Sequence, residues 1–167
     1  METLHTADQV RYTWDRASDA PATGQAVSHA SATGPAPIEG GAVVVSGDRI
    51  GAVGTYDELR ARFPRARVRK WAGTLGPALV HDGPLPEAPS PRERIHAVLK
   101  LGAVAVLERY VTDPGLHSAA ERVGVVVLPA VRRPAIADLG RADLAVFDAD
   151  GRCVATVCAG RLVHRRA

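Results

Sequence analysis

Two short apolar runs constrain this chain most: Ala103-Val-Ala-Val-Leu107 and Val125-Val-Val-Leu128. Neither carries a polar alternate, which is how a strand covered on both faces reads. Each follows a helix with marked ends. Ser90-Pro91-Arg92-Glu93 supplies an N-cap serine, a proline at the first helical position and a glutamate at the third. Ile95, Val98 and Leu99, with Leu101 less well placed, form its apolar stripe, and Gly102 is positioned to close it in a left-handed conformation. The pattern repeats. Asp113-Pro114 opens a second helix, Leu116, Ala119, Ala120 and Val123 line one face, and Gly124 closes it. With Leu79-Val80 as the preceding strand, the unit reads β-α-β-α-β, with parallel pairing and right-handed crossovers.

The flanks are β-rich. Leu4 to Trp14 alternates loosely and is expected to form a first strand. Asp15 to Pro37 is Ala, Ser, Thr, Gly and Pro with almost no large apolar residue, and is expected to be a mobile loop carrying His29. Ala42-Val-Val-Val-Ser46 and Arg49-Ile-Gly-Ala-Val53 flank Gly47-Asp48, a pair that supplies positive φ angles to a tight hairpin turn. Thr55 and Glu58 have capping-box spacing for a short helix with Tyr56, Leu59 and Phe63 on one face, which Pro64 stops. Ala66 to Trp71 alternates, and its charges suit a sheet edge. At the other end, 142–148, 153–158 and 161–164 are separated by turns and predict a three-stranded antiparallel meander.

Composition excludes several classes. No apolar run approaches the ~20 residues of a membrane span, and the N-terminus has no basic-then-apolar leader. The net charge is only +3 and no basic helix or basic-aromatic alternation appears, so a nucleic-acid partner is not expected. Aromatics are 4% of the chain, so the core is built from Ala, Val and Leu. Cys153 and Cys158, five apart in one strand, are expected on opposite faces, with neither a disulfide nor a zinc site. These features predict a soluble, reduced, cytoplasmic protein.

Several stretches together resemble a family. Pro37 to Gly54, Asp57 to Pro64 and Thr74-Leu-Gly-Pro-Ala-Leu-Val80 resemble the opening of the amidohydrolase superfamily, with an imidazolonepropionase or aminodeoxyfutalosine deaminase flavour. Ala142 to Gly151 and Val157 to Val163 resemble its closing segment. The resemblance implies a mixed α+β fold: a small composite β-sandwich formed by the N- and C-terminal segments, 1–73 and 134–167, with 15–37 as a loop. The α/β insertion between them, 74–133, would be the remnant of a (β/α)8 barrel. A complete barrel takes ~200 residues or more, which do not fit between these segments.

The resemblance does not carry catalysis over. The family's first barrel strand ends in Pro-Gly-Leu-Val/Ile-Asp-Ala-His-x-His, whose histidines hold a divalent metal that activates water. Pro77, Ala78, Leu79 and Val80 match this pattern; Gly83 and Leu85 then fall on the two histidines. Neither can ligate, so the family's zinc or iron is expected to be lost and no cofactor is expected.

His81 and Asp82 are the remaining polar pair, at the C-terminal end of a parallel strand where open α/β sheets bind ligands. Glu108, Arg109 and Tyr110 occupy the equivalent end of the next strand, followed by Asp113 and His117. His81, Asp82, Glu108 and His117 are the candidate catalytic set, suited to metal or acid–base chemistry. The plainer alternative makes Asp113 an N-cap, His117 a helix-surface residue and Glu108-Arg109 solvated; no spacing among them has the specificity of His-Glu-x-x-His. Arg132 and Arg133, before Pro134, could hold an anion or be solvated. No phosphate loop and no Gly-x-Ser-x-Gly pattern is present.

The favoured expectation is a degenerate, non-catalytic protein that binds a small metabolite or a protein partner, including a second copy of itself. The alternative is a hydrolase of non-peptide C–N bonds with a site rebuilt around His81.

Overall fold

In a computed structural model, residues 1–14 and 35–167 are described. The expectation for 15–37 and the position of His29 fall largely outside them.

Among the described residues, three sheets and three α-helices form layers. The first sheet has the order β5-β4-β1-β6, built from β1 (Glu2–Thr6), β4 (Gly41–Ser46), β5 (Arg49–Thr55) and β6 (Arg67–Lys70). β1 runs antiparallel to β4 and parallel to β6, which is an edge as its charges predicted. The hairpin between β4 and β5 turns at Gly47, and the positive φ is confined to that glycine (62°); Asp48 does not share it. Helix α1 (Tyr56–Arg62) carries the expected capping box between Thr55 and Glu58 and ends before Pro64. Its Leu59 packs with Leu4, Ala42 and Val44 on one face of this sheet.

The second sheet has the order β13-β12-β11-β7-β2-β3, from β2 (Gln9–Val10), β3 (Ile38–Glu39), β7 (Thr74–Pro77), β11 (Leu144–Phe147), β12 (Cys153–Cys158) and β13 (Arg161–Arg165). The segment Leu4 to Trp14 is therefore two strands in two sheets, not one. The chain crosses between the layers at Ala7-Asp8, where the Asp8 carboxylate accepts from the Gly73 amide at 2.7 Å. Val43, Val45 and Ile50 of the first sheet meet Leu75, Leu144, Val146, Ala155 and Val157 of the second in one apolar cluster, which is the core of the sandwich.

The third sheet is the parallel β8-β9-β10 unit: β8 (Leu79–His81), α2 (Pro91–Lys100), β9 (Ala103–Leu107), α3 (Pro114–Val123) and β10 (Val126–Leu128). Both helix starts are as the sequence indicates. Ser90 accepts from the Glu93 amide, Asp113 accepts from the Leu116 amide, and a proline follows each cap. Gly102 and Gly124 take φ of 86° and 83°, the left-handed region that side chains avoid. β9, between two neighbours, is buried at every position. β10 is an edge, and its Val126 and Val127 are half-buried.

Helices α2 and α3 lie between the second and third sheets. Ile95, Val98, Leu99, Leu116 and Ala120 pack with Val104 and Val106 on one side and Ala145, Phe147 and Cys158 on the other. Thr156 is fully buried there, and its hydroxyl donates to the Leu99 carbonyl at 2.7 Å, which satisfies it at the end of α2. The far face of the third sheet carries a smaller cluster of Val80, Ala105, Leu107 and Leu128.

The cysteines differ from expectation. A bulge near Val146 and Phe147 pairs Phe147 with Cys153 but Val146 with Ala155, so one residue of β12 is skipped. That shifts Cys153 to the face of Thr156 and Cys158, and its thiol lies 3.3 Å from the Thr156 hydroxyl. Both thiols face the helix layer and remain free.

Candidate functional site

The third sheet delivers His81, Asp82 and Glu108 to its C-terminal edge, since β8 ends at His81 and β9 at Leu107. His81 Nε2 lies 3.0 Å from the Pro84 carbonyl, a local contact within its own turn. Asp82 accepts from Arg109 Nη2 at 2.8 Å. Both partners are substantially exposed, so this pair contributes little to stability. Arg109 also stacks over the Tyr110 ring at 5.0 Å. Glu108 is exposed in a single 3-10 turn, Glu108–Tyr110. Asp113 caps α3, and His117 is exposed on that helix. Among the described residues, no three His, Cys, Asp or Glu side chains gather where they could hold a metal ion.

The two positions that align with the metal histidines of the resembled family are Gly83 and Leu85. Gly83 has no side chain. Leu85 is 2% exposed and sits in the apolar cluster with Ile95, Val106 and Leu116. The connector is pinned in that course by Arg94 of α2, which donates to the carbonyls of Leu85 and Pro86, each at 3.1 Å. The chain after β8 therefore turns inward and buries Leu85. Neither Gly83 nor Leu85 offers a ligating side-chain atom.

A different polar concavity lies at the opposite, N-terminal end of the third sheet. It encloses about 300 Å³ between Val80 and Ala105, which face each other across β8 and β9, and Arg132, Arg133, Arg141 and Asp143. Segment 132–141 is fixed over it: the Ile136 amide donates to the Tyr12 carbonyl at 2.8 Å and the Leu139 amide to the Ile50 carbonyl at 3.1 Å. Arg141 is held by the Asp143 carboxylate at 3.4 Å, by the Gly124 carbonyl and by the Cys158 sulfur. Burial raises the Asp143 carboxyl's pKa, opposed by the Ala159 amide and by Arg141 and Arg132. Burial, with Asp143 nearby, pushes the Cys158 thiol up to about 11, so it stays protonated and unreactive at neutral pH. Sequence reading noted Arg132 and Arg133 but missed Arg141 and Asp143. Their only local signal is a pair of charges directly before the buried strand Leu144–Phe147.

A larger, more open cleft of about 400 Å³ lies between the first sheet and α1, lined by Asp8, Tyr56, Lys70 and Trp71 among others. Lys70 stacks there over the Tyr56 ring at 5.7 Å. Among the described residues, no buried side-chain nitrogen or oxygen is left without a hydrogen-bond partner.

A sandwich contributed by both ends of the chain, carrying a parallel β-α-β-α-β unit, is the mixed α+β architecture expected from the composite-domain resemblance. Consistent with this, residues 41–66 match the imidazolonepropionase-like composite domain of bacteria. No curated protein matches the sequence. Among solved structures, the chain is similar to E. coli guanine deaminase, at 16% identity and a TM-score of 0.49, covering 76% of this chain and 35% of that one. It is similar to Helicobacter pylori aminofutalosine deaminase at 17% identity and a TM-score of 0.43, covering 65% and 28%. It is also similar to a zinc-bound adenosine deaminase from Xanthomonas campestris at 20% identity and a TM-score of 0.43, covering 75% and 33%. The chain thus spans about a third of the length of these structures. At such scores the fold assignment rests on the sheet order and on the match at 41–66. No helix among the described residues is long and apolar enough to cross a membrane.

Proposed function

We propose that this protein is a degenerate amidohydrolase-like protein that binds a small metabolite and does not hydrolyse it. One observation carries the reading. Leu85, at the position of the family's second metal histidine, is buried in the helix layer, while His81 and Asp82 are engaged by Pro84 and Arg109. Among the described residues, no three His, Cys, Asp or Glu side chains gather at the C-terminal edge where they could hold a metal ion, which weighs against water activation there.

Metal content and ligand response test this together. Purified protein should carry zinc or iron well below one equivalent, with no change on His81→Ala. A metabolite panel followed by thermal denaturation should yield at least one compound that raises the melting temperature. Near-stoichiometric metal that is lost on His81→Ala, together with turnover of a C–N substrate, would favour the hydrolase alternative.

Self-association is proposed on separate grounds. β8 and β10 are both edges of a sheet that does not close, and such edges invite pairing. Light scattering at micromolar concentration should give a mass above that of one chain; a strictly monomeric mass rejects it.

A further inference from the structure

We infer that the open edge of the sandwich, between β6 and β13, binds a phosphoryl dianion. This names the ligand class of the binding reading above and rests on it.

Both edges present cations on the side of the sandwich core. In β6, Arg67 lies opposite Thr3 and Arg69 opposite His5. Thr3 and His5 in turn lie opposite Val45 and Val43, which belong to that core. Paired residues share a face, so both arginines are on the core side of the first sheet, about 7 Å apart along the strand. From the second sheet, Arg165 of β13 lies opposite Ala155, which also belongs to the core. Its guanidinium stacks over the Trp71 ring at 5.8 Å. Among the described residues, none of these three arginines has a carboxylate partner. Burial, then the charges of Arg67 and Arg165, lower the pKa of Arg69, which thus feels two like charges.

A buried donor completes the site. His5 is one strand in from the edge and almost wholly buried. Its Nδ1 accepts from the Trp71 indole, so its proton is on Nε2. That N–H has no acceptor among the described residues. No fully buried side-chain nitrogen is left unsatisfied, so the N–H reaches the surface. An unpartnered donor on a buried side chain, next to Arg69 in the sheet, is a place for a ligand oxygen.

These features select the ligand. Charges that only guard a sheet edge stand in water, whereas Arg69 is half-buried. A carboxylate neutralises one of the three cations. A phosphoryl group carries close to two negative charges and three strong acceptor oxygens, which guanidinium forks and an imidazole N–H can share.

The test is isothermal titration of the full chain at low salt with inorganic phosphate, phenyl phosphate and benzoate. Saturable binding of phosphate is expected, with benzoate at least tenfold weaker. Tighter binding of phenyl phosphate than of phosphate would identify a monoester as the ligand, and equal binding the free ion. Arg69→Gln and Arg165→Gln should each raise the Kd roughly tenfold, as loss of a charge-assisted contact does. Arg122→Gln, which removes an equal charge from the exposed side of α3, should leave the Kd unchanged. Bound phosphate should also shift the Nε2–H resonance of His5. Melting temperatures no lower than that of the parent would show that the variants fold, and Arg165, being exposed, keeps the test open if Arg69→Gln does not. Absence of saturable phosphate binding overturns the inference, as does an equal loss in Arg122→Gln. Benzoate binding as tightly as phosphate overturns the phosphoryl assignment. A different metabolite that binds regardless of Arg69 and Arg165 would sink this site while leaving the non-catalytic binding reading intact. His81-dependent hydrolysis would do the reverse.

Discussion

Trp71 donates its indole N–H to Nδ1 of His5 at 3.2 Å, and the two rings lie 7° from parallel with centroids 6.2 Å apart. His5 is 2% exposed in β1, directly opposite Arg69 of β6. The bond requires Nδ1 as acceptor, so the imidazole is neutral with its proton on Nε2. Burial, assisted by the positive charge of Arg69, lowers its pKa to about 4.

This makes stability acid-sensitive in a defined window. The unfolded chain takes up a proton at His5 near pH 6.5, the folded chain only near 4. Between those values the unfolded state binds more protons, so stability is full above pH 6.5 and declines as pH falls toward 4. The loss is about 3 kcal/mol at most. Urea unfolding between pH 4 and 7 should show it, and His5→Gln, which retains an acceptor but does not titrate, should flatten the profile. An equal slope in both proteins would refute the assignment.

Introducing histidines at Gly83 and Leu85, the positions that align with the resembled family's metal ligands, should not create a metal site. Leu85→His places an imidazole in the apolar cluster around Ile95 and Leu116. It should cost roughly 2–5 kcal/mol, through lost packing and an unsatisfied polar ring. Gly83→His/Leu85→His should be no more stable with added zinc than without it. A zinc-dependent rise in melting temperature would mean that the connector can turn outward despite Arg94.

Leu139 has φ of 60°. Leu139→Gly should stabilise the protein by up to about 1 kcal/mol, since relief of the left-handed strain exceeds the added freedom of the unfolded chain. The leucine is exposed, so little packing is lost. Chemical denaturation measures this, and a loss of stability would mean that the side chain has a packing role.

Gly76 and Trp14 are coupled. A Cβ at Gly76 would lie 2.4 Å from Trp14 Cζ2, and the indole N–H donates to the Pro77 carbonyl at 2.8 Å. Gly76→Ala should therefore destabilise by about 1–3 kcal/mol. In a double-mutant cycle with Trp14→Phe the two costs should not add, because the smaller ring vacates the contested space. Strict additivity would place the cost of the alanine elsewhere.

Much of the architecture was legible because its signals are local. Proline and a capping side chain open α2 and α3, glycines close them, and the unbroken apolar run at 103–107 reads as the central strand that it is. The hairpin at Gly47 and the capping box at Thr55 are decided by neighbours within four residues. The candidate set at the sheet edge was locatable for the same reason, since its position follows from where β8 and β9 end.

What the tertiary structure decided depends on residues far apart in the chain. A bulge opposite Phe147 turned Cys153 to the face of Cys158, a change that strand alternation alone cannot register. Arg94 drew Leu85 inward. The cleft lined by Val80, Ala105 and Arg132 exists only because segment 132–141 folds over a sheet whose first strand lies some fifty residues earlier in the chain. Periodicity and caps determine helices, strands and their order. Which side chains converge is set by loop paths, and those are chosen by the packing and hydrogen bonds of the folded whole.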